Sequence, residues 1–174
     1  MQPEENVPIV NNVTRMLDAK KVPYEAFHTP EEKLGAVETA KFLNVPIEIV
    51  YKTVVLTRQP ESRSTSAIKK KPILAVIPGN HIVDLKLVAN EIGEKKVLLP
   101  TEKEAEQLTG LQAGGISPLA LINKGFQVII DESAKAHGSL HISGGQRGLN
   151  ILIPVENLLS LSQARFGKIS IPSE

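Results

Sequence analysis

The amino-acid sequence predicts a compact α/β or α+β domain, and three observations carry that prediction. Short β-rich runs mix irregularly with amphipathic helical stretches, the pattern of helices packed on a mixed sheet. No internal repeat or composition break divides the chain, so a single domain is expected over 1–174. With 174 residues, 41% hydrophobic and 22% charged, the core is large enough to fold without disulfide or metal staples.

The elements follow in order. Val10, Val13, Met16 and Leu17 fall at helical spacing, and Lys20 and Lys21 follow where a helix end favours cations, so a first helix is predicted over 7–19. Pro23 breaks it, and 24–28 alternates as a short strand before the turn at 29–32. Ala36, Ala40, Phe42 and Leu43 predict a second helix, and Pro46 opens a short third over 47–51. Strands are predicted over 53–56 and 73–77, joined by a polar, serine-rich hairpin loop over 59–71 that ends in three lysines. Leu85, Val88, Ala89 and Ile92 give a helix over 84–92 with Gly93 as its terminator. A short strand over 96–99 precedes a helix through Leu108, opened by a capping-box pattern at Thr101 and Glu104. Strands over 128–131, 139–143 and 150–154 come next, and a helix over 155–164 closes the predicted fold.

Composition excludes several function classes. The chain has no cysteine, which removes disulfide frameworks, thiolate metal sites and cysteine nucleophiles together. Net charge is +1 and aromatic residues are 3% of the chain, unlike the broad basic surface and stacking side chains of avid nucleic-acid binders. Any RNA is therefore expected to be held locally. No apolar run approaches the roughly 18 residues of a membrane span, and 1–12 lacks a basic segment followed by an apolar one, so a cytoplasmic protein without membrane partners is expected.

Few residues stand out for chemistry. A strand beginning near Lys52 would put its side chain on the face of Val54 and Leu56. Charged side chains are seldom fully buried unpaired, so Lys52 either snorkels from a strand end or enters a polar pocket. Gly114, Gly115, Ile116, Ser117 and Pro118 form a tight loop, which is either an ordinary turn or a set of amides able to hold an oxyanion. A second glycine cluster, Ser143, Gly144, Gly145, Gln146, Arg147 and Gly148, reads as a hairpin between two strands. Neither cluster has the spacing of a dinucleotide fingerprint or a P-loop. His137 and His141 would share a strand face, but without cysteine or a neighbouring carboxylate no metal site is expected. No nucleophile-elbow serine is present either.

Taken together and in order, Tyr51-Lys52-Thr53, the Gly114 to Pro118 loop and Ser143-Gly144-Gly145-Gln146-Arg147-Gly148-Leu149 resemble the YbaK/prolyl-tRNA synthetase editing-domain family. The resemblance runs from about His28 to Phe166 and is strongest to the freestanding YbaK type, the Cys-tRNA(Pro)/Cys-tRNA(Cys) deacylases. It implies a barrel-like, curved mixed sheet flanked by helices, with a pocket for the aminoacyl group and terminal adenosine of tRNA. It also implies that Lys52 holds the phosphate and carbonyl region while the backbone at Gly115 positions the ester. Thr53, Gly114, Ile116, Ser117, Pro118, Ser143 and Gly144 would then contact substrate. No cofactor is implied, because an activated ester needs orientation and charge stabilisation more than a protein nucleophile. For a cysteinyl ester, the family mechanism lets the substrate's own thiol attack its carbonyl.

Three positions depart from the YbaK pattern. Pro30 and Leu34 replace aromatic residues of the pocket wall, and Asn150 replaces an aspartate. These changes bear on which amino acid is removed, so a deacylase for another small aminoacyl group, or a non-catalytic module binding aminoacyl-tRNA or a synthetase, stand as alternatives. The low charge suggests that tRNA selection is borrowed from a partner such as prolyl-tRNA synthetase.

Overall fold

The computed structural model describes residues 8–59 and 71–174, so the predicted loop at 59–71 lies almost wholly outside the described residues. The first helix, α1 (Asn12–Ala19), begins later than its apolar spacing suggests because Asn11 caps it: the Asn11 side chain accepts from the Thr14 amide and Thr14 Oγ1 accepts from the Asn11 amide. Such reciprocal caps satisfy backbone donors that the first turn leaves free. Strand β1 (Glu25–His28) and helix α2 (Ala36–Leu43) follow, and a 3-10 turn at Ile47–Ile49 leads into β2 (Tyr51–Arg58).

Strand β3 (Ile73–Pro78) is buried along its whole length, as expected of a continuous apolar run covered on both faces. Leu74 and Val76 enter one core with Tyr51, Val55, Ile130, Ile142 and Ile151. Ile73, Ala75 and Ile77 enter a second core with Leu56, Val88, Ala89 and Ile129. Two small elements come next: β4 (His81–Val83), then α3 (Leu85–Ile92), capped by Asp84 and ended by Gly93 in the left-handed conformation.

The remaining elements are β5 (Val97–Leu98), α4 (Glu102–Thr109), β6 (Gln127–Asp131), β7 (Ser139–Ser143), β8 (Leu149–Pro154) and α5 (Val155–Leu161). Beyond the helix predicted to close the fold lie two further strands, β9 (Arg165–Gly167) and β10 (Ser170–Pro172). Helix α5 stops short of 164 because the chain turns at Gln163, whose φ is +52°, to lay β9 beside β6.

The architecture is mixed α+β. The main sheet has the order β5-β2-β3-β6-β9, antiparallel among β5, β2 and β3 and parallel from β3 to β9. A second sheet, β1-β8-β7, is antiparallel throughout, and β10 pairs with β4. The barrel-like sheet implied by the family resemblance is not observed, because the main sheet ends in β5 and β9 and does not close. Between the main and second sheets, the bridge among the described residues is one parallel pair, Val50 with His141. Val50 ends the 3-10 turn, so only that residue is placed to pair before β2 turns toward β3.

Candidate active site

Where the main sheet meets the second one, a cleft of ≈ 250 Å³ opens over the start of β2. Its walls come from the segment after β1, from the start of β2, from the loop after α4 and from the β7–β8 hairpin. Lys52, Thr53, Leu34, Gly114, Ile116, Ser143 and Asn150 all line it. These residues are distant in sequence, and the fold brings them together.

Lys52 shares the strand face of Val54 and Leu56, and at this end of β2 that face opens into the cleft. Its ammonium donates to the Gly79 carbonyl at 3.4 Å, and burial pushes its pKa below the ordinary lysine value. No carboxylate pairs with it among the described residues. That carbonyl is held by a close approach: Gly79 donates to the Val50 carbonyl at 2.7 Å, and a Cβ there would lie 2.5 Å from Ala36 Cβ and 2.7 Å from Ile47 Cδ1. Only glycine fits a backbone approach this tight.

The loop after α4 is fixed in a similar way. Gly114 has φ +89°, and a Cβ on Gly115 would lie 2.9 Å from Gln146 Cα, so the two glycine-rich loops touch backbone to backbone. Arg147 Nε donates to the Ala113 carbonyl at 2.7 Å and fastens the loops from the other side. The Gly115 amide is already occupied, donating to Gln112 at 2.8 Å. Of the loop amides without an acceptor among the described residues, those of Gly114 and Ile116 belong to residues of the cleft wall. Any oxyanion-binding role therefore falls to the residues on either side of Gly115.

The β7–β8 hairpin supplies the opposite wall. Ser143 lies directly across the ladder from Asn150, and its hydroxyl oxygen accepts from the Gly145 amide at 3.3 Å. Asn150 is buried, and its carboxamide oxygen lies 2.8 Å from His141 Nδ1. An amide oxygen only accepts, so His141 donates, which leaves Asn150 its NH2 and one oxygen lone pair for other partners.

Residues 30–161 match the model of the aminoacyl-tRNA editing domain. The chain belongs to that family. It is 35% identical over 161 residues to a protein of Enterococcus faecalis named "Putative Cys-tRNA(Pro)/Cys-tRNA(Cys) deacylase EbsC", covering 91% of this chain and 92% of that one. It is 25% identical over 146 residues to a proline--tRNA ligase of Bacillus cereus, and there it spans only 23% of the ligase. In fold it matches a crystal structure described as "a putative trans-editing enzyme for prolyl tRNA synthetase", with TM-score 0.74 and 18% identity over 94% of this chain and 99% of that one.

Within this editing domain, not every residue singled out in the sequence lines the cleft. Pro30, Gly115, Ser117, Pro118 and Gly144 lie outside its wall. Ser117 is fully buried and caps the 3-10 turn Pro118–Leu121, accepting from Leu119. His137 ends the 3-10 turn Glu132–Ala136 and precedes β7, so it does not share a strand with His141. Conversely, Glu32, Thr39 and Tyr51 line the cleft without having been singled out for chemistry. The Tyr51 hydroxyl lies 2.7 Å from Ser133 Oγ, and burial first of all raises its pKa, so it remains a proton donor. Glu32 had no signal beyond its place in an acidic turn, and Gly79 none beyond a Pro-Gly pair.

Proposed function

We propose that this editing domain is a trans-acting aminoacyl-tRNA deacylase that removes the amino acid from mischarged tRNA, with Cys-tRNA(Pro) and Cys-tRNA(Cys) as leading substrates. The observation that carries the reading is a single half-buried lysine sharing a small cleft with two backbone amides that have no acceptor among the described residues. An ester needs no nucleophile from the protein if its carbonyl is held and the charge developing on the carbonyl oxygen is met by preorganised donors. Lys52 Nζ supplies positive charge for the phosphate and carbonyl region, and the Gly114 and Ile116 amides supply neutral donors. With a cysteinyl ester, the substrate sulfur bonds to its own carbonyl carbon, the ester C–O bond breaks, and the proton leaves on the tRNA 3′-hydroxyl. With other small aminoacyl groups, water takes the place of the thiol.

The chain is proposed to act as one unit over 1–174, in the cytoplasm, with prolyl-tRNA synthetase as a candidate partner that supplies tRNA selection. Relatedness to proline--tRNA ligases and the low net charge of +1 support that assignment. Among the described residues no helix is long and apolar enough to cross a membrane. The test is release of amino acid from Cys-tRNA(Pro), Ala-tRNA(Pro) and Ser-tRNA(Pro) by wild type and by Lys52→Ala, corrected for spontaneous hydrolysis. Release should fall by about 100-fold or more in the variant, the scale on which single electrostatic groups act in acyl transfer. Binding without release from any of these esters would instead make the chain a recognition module.

A further inference from the structure

The cleft wall offers several donors and few charged acceptors. Lys52, the Gly114 and Ile116 amides and the NH2 of Asn150 are all donors, and the Asn150 oxygen already accepts from His141. An aminoacyl ester, however, also brings a cationic ammonium beside its carbonyl, and that group needs an acceptor. Among the described residues lining the cleft there is one carboxylate, Glu32.

Glu32 sits on a segment held over the cleft at several points. The Thr29 amide donates to the Gly148 carbonyl at 3.0 Å, and a Cβ on Gly114 would lie 3.2 Å from Lys33 Cα. Lys33 in turn pairs with Glu102 at the start of α4. The neighbouring carboxylate of Glu38 is turned back on its own helix, where its Oε2 would lie 2.6 Å from a Cβ on Gly35. Glu32 makes no hydrogen bond or ion pair with any described residue. Its carboxylate is therefore the one in the cleft left with capacity to accept.

Resting on the deacylase reading above, we infer that Glu32 receives the α-ammonium of the aminoacyl group and selects for esters with a free amine. The division of charge fits the ester itself: a cation in the cleft wall for the phosphate and carbonyl side, an anion in the same wall for the amine. It also reassigns a task, because the donor presented by Asn150 repels an ammonium and suits a carbonyl or hydroxyl oxygen instead.

The experiment compares two substrates in two proteins: the aminoacyl-tRNA that wild type hydrolyses fastest, and the same ester N-acetylated, each with wild type and with a folded Glu32→Gln variant. Glutamine keeps the volume of glutamate, so the added bulk of the acetyl group affects both proteins alike. Wild type should prefer the free amine, and Glu32→Gln should lower kcat/KM for it by roughly fivefold, mainly through KM, as expected of a charge contact from an exposed carboxylate. The preference over the acetylated ester should shrink by the same factor. An equal loss on both esters, or no loss on either, would overturn the assignment while leaving the deacylase intact. If wild type releases nothing from any ester, the deacylase reading falls and takes this inference with it.

Discussion

At the residue scale the site turns on one lysine whose environment is set by backbone. Lys52 has no carboxylate partner among the described residues, and burial depresses its pKa from the ordinary 10.5. If catalysis needs the ammonium, kcat/KM should decline on the alkaline side through a pKa below that ordinary value, after subtraction of spontaneous ester hydrolysis. A Lys52→Arg variant with residual activity should lose this limb, since guanidinium stays charged. A limb that persists with arginine would show that another group titrates. The sign for stability follows from the same shift: between the folded and unfolded pKa the unfolded chain binds more protons, so stability should rise with pH across that window. The lysine's unusual place among apolar strand residues was legible in the sequence, because alternation alone put it on the face of Val54 and Leu56. Its partner was not, since the Gly79 carbonyl is a backbone atom 27 residues away whose position depends on the β2–β3 register.

At the element scale the cleft exists because pieces of backbone approach more closely than any side chain would allow. Gly79→Ala should therefore cost stability and activity together. The added methyl would meet Ala36, Ile47 and the Val50 carbonyl at under 3 Å, and overpacking of this kind costs about 1–3 kcal/mol. A lower denaturation midpoint at unchanged m-value, with weaker deacylation, is the expected result. Gly115→Ala should separate these effects, since its methyl would push on the Gln146 and Arg147 backbone and shift the two loops with less damage to the core. Unchanged deacylation in a folded Gly115→Ala protein would mean that loop spacing does not matter. Helices α2, α3 and α4 were readable because their caps and apolar spacing are local, as the Thr101–Glu104 box shows. The short helix that Pro46 opens was readable too, as the 3-10 turn Ile47–Ile49 shows, but the 3-10 turns Pro118–Leu121 and Glu132–Ala136 and the short strands β4, β9 and β10 were not, because a three-residue strand has too little periodicity and forms only where a partner edge is waiting. The assembly of Leu34, Lys52, Ile116 and Asn150 into one cleft was legible only through the resemblance of motifs, as their spacing says nothing about contact.

At the scale of the whole molecule, Asp131 joins the cleft to the last strands of the chain. It ends β6 and is buried, with Oδ2 accepting from the Ser133 amide at 3.1 Å and from its hydroxyl at 2.6 Å. Oδ1 accepts from the Ile169 amide at 3.3 Å and from the Ser170 hydroxyl at 2.8 Å. Each serine hydroxyl donates to Asp131, so Ser133 accepts from Tyr51 in the cleft wall and Ser170 accepts from His81 Nδ1 on β4. Tyr51 on the main sheet and His81 on β4 thus reach the carboxylate only through the serines, while the Ser133 amide and hydroxyl, the Ile169 amide and the Ser170 hydroxyl converge on it directly. Asp131→Ala would leave them without an acceptor, and buried donors stranded in this way cost about 1–3 kcal/mol each. The expected loss is roughly 3 kcal/mol or more of global stability, since the stranded groups will relax toward water in part. Hydrogen exchange should rise first in 165–172, where the lost bonds anchor the chain end, before the rest of the molecule opens. A midpoint unchanged within about 0.5 kcal/mol, the range of ordinary surface substitutions, would show that water replaces the carboxylate without penalty. The link between the cleft and the C-terminal strands would then be geometric and carry no energy.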